Sequence, residues 1–202
     1  MSSAFRNSLR WSLIIFFVTL ILAFIITIIS TSILAGVSWV MGMLVVFFIV
    51  IIGVMFDIIG LAAAVAKEEP FHSMASEKLN GSKEAIRIVR NAARFSNICN
   101  DVIGDTCGII SGVATATVVI ELVGAFEKES DQYFYYIISV LFTSIVAALT
   151  VGGKAVGKFL AINYSTEITL IMGKFFFFTD KNFNISIFKK KTKLKAGGRN
   201  GS

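Results

Sequence analysis

Residues 33–56 read ILAGVSWVMGMLVVFFIVIIGVMF, and this uncharged stretch decides the fold class. A helix of about 20 apolar residues crosses the hydrocarbon core of a bilayer, which is about 30 Å thick. A second uncharged run precedes it at 11–30, and two less apolar runs follow at 98–126 and 133–150, the last continuing past Gly153. Charged residues make up only 16% of the 202-residue chain, and its mean hydropathy is +0.79. A soluble domain carries about one quarter charged residues. The sequence therefore predicts an all-α integral membrane protein with four transmembrane helices.

The first apolar run is interpreted as a retained anchor, because it is longer than a signal-peptide core and no small-residue cleavage site with a polar mature region follows it. Lysine and arginine predict the orientation, since short cytoplasmic loops carry an excess of both. Basic residues are concentrated before 11, between 66 and 97, and after 173, whereas 127–131 is mainly acidic. We therefore expect a multi-pass plasma-membrane protein with both termini in the cytoplasm. This topology accounts for the 19 basic against 13 acidic residues, so no nucleic-acid partner is expected.

The loop after the second span contains a predicted amphipathic helix, Ser82 to Arg94. Ser82 is a suitable N-cap, and Glu84 suits the first turn. Three apolar residues share one face, namely Ile86, Val89 and Ala93. Three arginines recur on another face, namely Arg87, Arg90 and Arg94. Such a helix either lies in the headgroup layer with its arginines on anionic lipid, or packs on protein with its arginines solvated.

Ionisable residues in or beside membrane spans are costly and indicate functional sites. Six occur in this chain: Asp57, Asp101, Asp105, Glu121, Lys154 and Lys158. Asp101 and Asp105 are four residues apart and share a helix face, which continues to Gly108 and Gly112. Asp101 either begins the third span at the interface or belongs to a site with Asp57, Asp105 and Lys154. Glu121 is expected in water at the outer end, and Lys158 is expected to snorkel to the interface.

No catalytic motif occurs in the sequence. Its one histidine, His72, follows Pro70 and Phe71 in the loop and is interpreted as packed or interfacial. There is no nucleophile elbow, metal-ligand motif or phosphate-binding loop. Cys99 and Cys107 lie eight positions apart in an apolar helix, a spacing that fits neither a disulfide nor a zinc site. We therefore do not expect an enzyme.

Three short motifs resemble a known transporter family. The chain reads FDIIGLA at 56–62, IGDT at 103–106, and GKAVGKFLA at 153–161 followed by Glu167-Ile168. In the same order relative to the spans, the transmembrane domain of the CorB/CorC and cyclin M (CNNM) magnesium transporters carries Phe-Ser-x-x-Glu-x-Ala, Ile-Gly-Asn-Thr and Gly-Glu-x-x-Pro-Lys-x-Leu-Ala, then Asn-x-Glu-x-Ile. The sequence resembles this domain from about Ile33 to Gly173.

The resemblance implies a homodimer with three core helices per subunit, short cytoplasmic helices after the first of them, and a juxtamembrane belt helix after Phe159. It divides the chain into an extra N-terminal span (1–32), a CorC-like transmembrane domain (33–174) and a basic cytoplasmic interfacial tail (175–202). By position, a cation such as Mg²⁺ would bind mid-membrane at Asp57, Asp105 and Lys154. Thr106 and Asp101 would lie nearby and supply further oxygen atoms, which hard cations prefer.

The departures from the family pattern leave two functions open. Asp57 replaces a serine, Asp105 an asparagine and Lys154 the ligand glutamate, and no paired cystathionine-β-synthase (CBS) domains are expected after Lys174. A protonated lysine cannot coordinate a metal. Either the two aspartates bind a divalent cation for transport or sensing while Lys154 moves aside or loses its proton, or Lys154 locks the site of a non-transporting scaffold or regulatory subunit. Expected partners are membrane lipids, a second copy and an unidentified cytoplasmic protein.

Overall fold

Eight α-helices and one π-helical segment form the part of the fold that the structure describes. The computed structural model describes residues 3–34, 36–124 and 132–183, and every regular element within these ranges is helical. The elements in chain order are α1 (Ser3–Leu34), α2 (Trp39–Val65), α3 (Glu69–Ser76), α4 (Ser82–Arg90), α5 (Ala92–Asn97), the π-helical segment (Ile98–Gly104), α6 (Asp105–Gly124), α7 (Gln132–Asn163) and α8 (Ser165–Phe183). The acidic loop at 127–131 and most of the predicted basic tail lie outside the described residues.

Within the described ranges, four stretches of helix are long and apolar enough to cross a membrane. They are Leu9–Leu34, Trp39–Val65, Ala92–Gly124 and Tyr135–Asn163. The third comprises α5, the π-helical segment and α6, which run on without a break. The predictions of an all-helical chain and of four helices with the length and composition of membrane spans are confirmed.

Several predicted span boundaries are wrong. The first span was expected to end at Ser30 and the second to begin at Ile33, but α1 continues to Leu34 and α2 begins at Trp39. The second span was expected to end at Phe56, but α2 continues through Asp57 to Val65. Apolarity alone set the predicted end, whereas the carboxylate of Asp57 is neutralised by a partner on another helix and does not stop the helix. The third span begins at Ala92 rather than Ile98, because α5 joins the π-helical segment directly.

The central helix of the bundle is α2, which packs against α5, the π-helical segment, α6, α7 and α8. Glycines on α7 allow that helix to approach α2 closely. A Cβ at Gly157 would lie 2.7 Å from Ile58 Cγ1, and a Cβ at Gly153 would lie 3.1 Å from Val54 Cγ2. On the other side, a Cβ at Gly53 would lie 2.9 Å from Cys107 Cβ. The backbones of α6 and α7 thus approach α2 at the level where its charged residue lies.

The predicted helix at 82–94 is two helices. Asn91, at φ −113° and ψ 23°, leaves the helical conformation, and its side-chain amide donates to the carbonyl of Arg87 at 2.9 Å. Ser82 does not cap α4 either, because its hydroxyl donates to the carbonyl of Leu79 at 2.7 Å. Gly81, at φ +86°, precedes the helix and packs directly on the α8 backbone at Lys174.

The apolar face of α4 is covered by protein. Ala85 and Ile88 are fully buried, and α4 packs against α3 and α8. Ile86 joins Ala66 and Phe71 in one hydrophobic cluster. This burial favours the interpretation of a loop helix packed on protein. Lipid contact by Arg87, Arg90 and Arg94 stays a prediction.

The three arginines have partners within the chain. Arg87 lies 3.9 Å from the carboxylate of Glu84, and the guanidinium of Arg94 stacks 5.1 Å from the ring centroid of Trp11 on α1. Arg90 joins α4 to the start of α3, because its Nε donates to Glu68 Oε1 at 2.7 Å. The arginine face of the loop therefore ties its helices to one another and to α1.

Glu68 is expected to make the loop's stability depend on pH. His72 Nε2 also lies 2.7 Å from Glu68 Oε1. The hydrogen bond from the Arg90 guanidinium lowers the pKa of Glu68 below its ordinary value of 4.5, and the contact with His72 lowers it further. A carboxyl with a lowered folded-state pKa contributes stability above its unfolded-state pKa and loses it as pH falls through the folded-state value. Glu68→Gln should therefore lower the thermal midpoint by a few degrees at most at pH 7, because the pair is exposed.

Glu69→Gln is the matched control, since Glu69 is the exposed next residue and the first of α3. The midpoint difference between Glu68→Gln and the parent should vanish as pH falls well below 4.5, measured by thermal unfolding in detergent. An equal difference at pH 7 and at pH 3 would contradict the ion pair as its cause.

Candidate functional site

One ammonium group joins three helices at the centre of the site. Lys154 Nζ on α7 lies 2.9 Å from Asp105 Oδ1 on α6 and 3.0 Å from Asp57 Oδ2 on α2. Lys154 donates a hydrogen bond to Asp105, whereas its contact with Asp57 is an ion pair without hydrogen-bond alignment. We call these three residues the charge triad. Each of the three sequence motifs contributes one of these side chains, and the structure brings the three together.

Local backbone structure places the two carboxylates. Asp105 is the first residue of α6, directly after the π-helical segment. Runs of π-helix are rare and frequently occur at functional sites. Asp57 Oδ1 lies directly over Gly104, where a Cβ would overlap it. A larger residue at position 104 would therefore displace the Asp57 carboxylate from its position beside Lys154.

The triad is shielded on one side and open on the other. The Asp57 side chain is 18% exposed, Lys154 is 26% exposed, and Asp105 is 62% exposed. Asp57 would be the group most affected by the loss of Lys154, because a shielded charge without a partner is strongly destabilising. Asp105 is the group that a ligand can reach directly.

A polar cleft of about 220 Å³ adjoins the triad. Its lining residues are Asp57, Leu61, Asn100, Asp101, Asp105, Lys154 and Lys158. With every ionisable group charged, three carboxylates face two ammonium groups, and the cleft has a formal charge of −1. The cleft favours cations over anions, although only moderately.

The remaining predicted residues fall into two groups. Asp101 and Lys158 line the cleft, and both are exposed. Thr106 does not line it: the residue is 1% exposed, and within the described chain its hydroxyl has no hydrogen-bond partner. Glu121 lies near the far end of α6 and is exposed. Of the six ionisable candidates, Glu121 alone lies outside the cleft lining.

Asn100 lines the cleft and was not expected there. Its Nδ2 donates to Ser96 Oγ at 3.2 Å, while its Oδ1 is buried against Gly60 without a hydrogen-bond partner in the described chain. Asn100 is not ionisable and belongs to none of the three motifs, so the sequence did not point to it. Asn100 is five residues before Asp105, and hydrogen bonds in a π-helix run between residues five apart. The five-residue link between Asn100 and Asp105 cannot be recognised from the sequence, because it depends on the π-helical segment.

The Lys154 ammonium occupies the place between the two carboxylates, so a metal ion would have to replace it rather than bind beside it. A protonated lysine has no lone pair to donate, so Lys154 cannot be a metal ligand in this state. Among the described residues, no group of three or more His, Cys, Asp and Glu side chains is placed to hold a metal ion. A metal ion could use both carboxylates of the triad only after the ammonium had moved.

Comparison with known proteins adds no relative. No family model matches the chain, and neither a curated protein nor a solved structure is significantly similar to it. The similarity to the CorB/CNNM transmembrane domain therefore depends on the three motifs alone. Any function has to be argued from the geometry of the triad and the cleft.

Close packing of α7 on α2 should be necessary for the triad. Gly157→Ala places a methyl group where Ile58 now lies, so α7 must move or Ile58 must repack, at a cost of about 1–3 kcal/mol. Gly152→Ala is the matched control, because nothing lies within 4 Å of its added Cβ.

Alanine is favoured over glycine in a helix by about 1 kcal/mol. Thermal unfolding in detergent should show a lower midpoint for Gly157→Ala and an unchanged or higher one for Gly152→Ala. Equal midpoints would contradict the packing argument.

Proposed function

We propose that this chain is a multi-pass plasma-membrane protein that transports or senses a cation of the Mg²⁺ type at the charge triad. The observation that carries the proposal is the position of the Lys154 ammonium, 2.9 Å from Asp105 and 3.0 Å from Asp57. Two carboxylates on different spans here hold a positive charge between them. Lys154 would occupy the cation position and yield it when a cation binds.

The cost of charge in a membrane supports a functional role. A single charged side chain at the bilayer centre costs about 2.5 kcal/mol or more. Pairing offsets that cost, but well-packed apolar residues usually stabilise a buried position as well as an ion pair does, or better. Stability alone would not require Asp57, Asp105 and Lys154 on three adjoining helices.

Electrostatics make the lysine and a divalent cation competitors. Two unit charges at 4 Å interact by about 4 kcal/mol at an effective dielectric constant of 20. A divalent ion gains about twice the attraction of the ammonium from each carboxylate, but Lys154 repels it as strongly as one carboxylate attracts it. Lys154 in place therefore cancels about half of the attraction of the two carboxylates, so a divalent ion binds better when Lys154 moves away, which its flexible four-carbon stem permits.

A second candidate function follows from the same two contacts. If Lys154 never leaves, the triad is a permanent lock, and the chain is a non-transporting scaffold or regulatory subunit. The observation in its favour is that Lys154 already lies within 3.0 Å of both carboxylates. The two functions differ in what happens when the lysine is removed.

Lys154→Met should expose the site to a divalent cation. Without Mg²⁺ the variant should unfold several degrees below the parent, because Asp57 and Asp105 then repel each other. Mg²⁺ should raise its thermal midpoint and bind at least tenfold more tightly than to the parent. Calorimetric titration and thermal unfolding in detergent measure both effects.

The controls separate the two functions. Lys174→Met removes an exposed lysine of α8 outside the cleft and should change neither quantity. In the Lys154→Met background, Asp105→Asn should abolish the Mg²⁺ effect, whereas Glu121→Gln on the same helix should preserve it. A loss of stability that Mg²⁺ does not restore would favour the scaffold and contradict cation handling.

The proposal includes a homodimer, as the resemblance to the CorB/CNNM domain implies. Gly108 and Gly112 on α6 follow Asp105, and a Cβ at either would have no atom within 4 Å. Such small residues permit close approach of another membrane helix. Native mass spectrometry in several mild detergents should give a dimeric mass. A monomeric mass in all of them would contradict the dimer.

A further inference from the structure

The polar cleft extends from the triad toward one end of the bundle only. We call this end, where α3, α4 and α5 lie, the loop end. Leu61 follows Asp57 by four residues on α2, and Lys158 follows Lys154 by four on α7, both toward the loop end. Asp101 precedes Asp105 by four residues on the antiparallel third span, which leads to the same end. Four helical residues rise about 6 Å, so the cleft reaches roughly one turn beyond the triad.

The other side of the triad is closed by a packed layer. A Cβ at Gly53 would lie 2.9 Å from Cys107 Cβ, and Val54 packs against Gly153 in the same layer. Beyond this layer lies a groove of about 270 Å³. Its lining residues are Met43, Val46, Phe47, Val50, Thr115, Val118, Phe142, Ile145, Val146 and Leu149. None of these lining residues is charged, so within the described chain the groove offers an ion no charge to replace lost hydration.

One carboxylate and one ammonium group lie about one helical turn from the triad, nearer the loop end. Asp101 lies four residues before Asp105, and Lys158 lies four residues after Lys154. The mouth of the cleft therefore carries one carboxylate and one ammonium group. Charges at the mouth of a narrow cleft change the local concentration of ions and thus the rate at which they arrive.

We propose that in this conformation the triad is reached from the loop end alone. Asp101 then favours the entry of cations, and Lys158 opposes it. This deepens the proposed function, and its relevance to a cation depends on that function. The access route itself is a property of the cleft and can be tested without any bound metal.

Cysteine accessibility tests the direction of access. In a Cys99→Ala/Cys107→Ala background, Leu61→Cys should react with a membrane-impermeant cationic thiosulfonate. The reaction should occur only from the side where a Glu77→Cys marker on the exposed α3–α4 connection reacts. Phe47→Cys in the apolar groove should react from neither side. Lys158→Cys serves as a second cleft reporter if Leu61→Cys does not fold.

Charge substitutions test the mouth of the cleft. With Leu61→Cys as reporter, Lys158→Met should raise the ratio of cationic to anionic reagent rates at least threefold, and Asp101→Asn should lower it by a similar factor. Both effects should shrink at high salt. Lys174→Met, outside the cleft, should leave the ratio unchanged.

Three results would overturn the inference: reaction of Leu61→Cys from the opposite side, reaction of Phe47→Cys with the impermeant reagent, or an unchanged rate ratio in both charge variants. Protection of Leu61→Cys by Mg²⁺ in the Lys154→Met background is measured in parallel. Its absence would contradict the proposed cation function, whereas the sided reactivity decides the access route independently.

Discussion

The cost of an unpaired charge among apolar helices is the constraint on which the rest of this structure depends. Asp57 lies in the interior of α2, a helix whose other residues are almost entirely apolar, and its side chain is only 18% exposed. A carboxylate in that position requires a cation from another helix. Lys154 supplies it and binds Asp105 as well, so one ammonium group fixes the relative positions of α2, α6 and α7.

Close backbone approach makes that pairing possible. A lysine reaches two carboxylates on separate helices only if the helices are near one another, and Gly153 and Gly157 bring α7 onto Val54 and Ile58. Gly104 gives the Asp57 carboxylate the space that a side chain would fill. The contact of Gly153 with Val54 also helps to close the triad on its apolar side. Stability and the one-sided cleft thus have a common structural origin.

The geometry also explains why the triad differs from an ordinary metal site. A metal ion gathers ligands with lone pairs, whereas here an ammonium group already neutralises the carboxylates. Three carboxylates against two ammonium groups leave the cleft with a formal charge of −1. Under the proposed function, movement of Lys154 would be the step that lets a cation take its place.

Hydropathy and residue spacing in the sequence determined the helical fold and the four long apolar helices, because these depend on runs of residues along one chain. The motif positions pointed to Asp57, Asp105 and Lys154, but no local pattern could measure their separation. The break of the loop helix at Asn91, the continuation of α2 to Val65 and the place of Asn100 in the cleft are visible only in the three-dimensional structure. The Asn91 side chain bonds the Arg87 carbonyl where the helix ends, Lys154 neutralises Asp57 within α2, and Asn100 belongs to a π-helical segment that residue spacing does not reveal. Periodicity describes one helix at a time, whereas the neutralisation of a charge depends on which helices lie side by side.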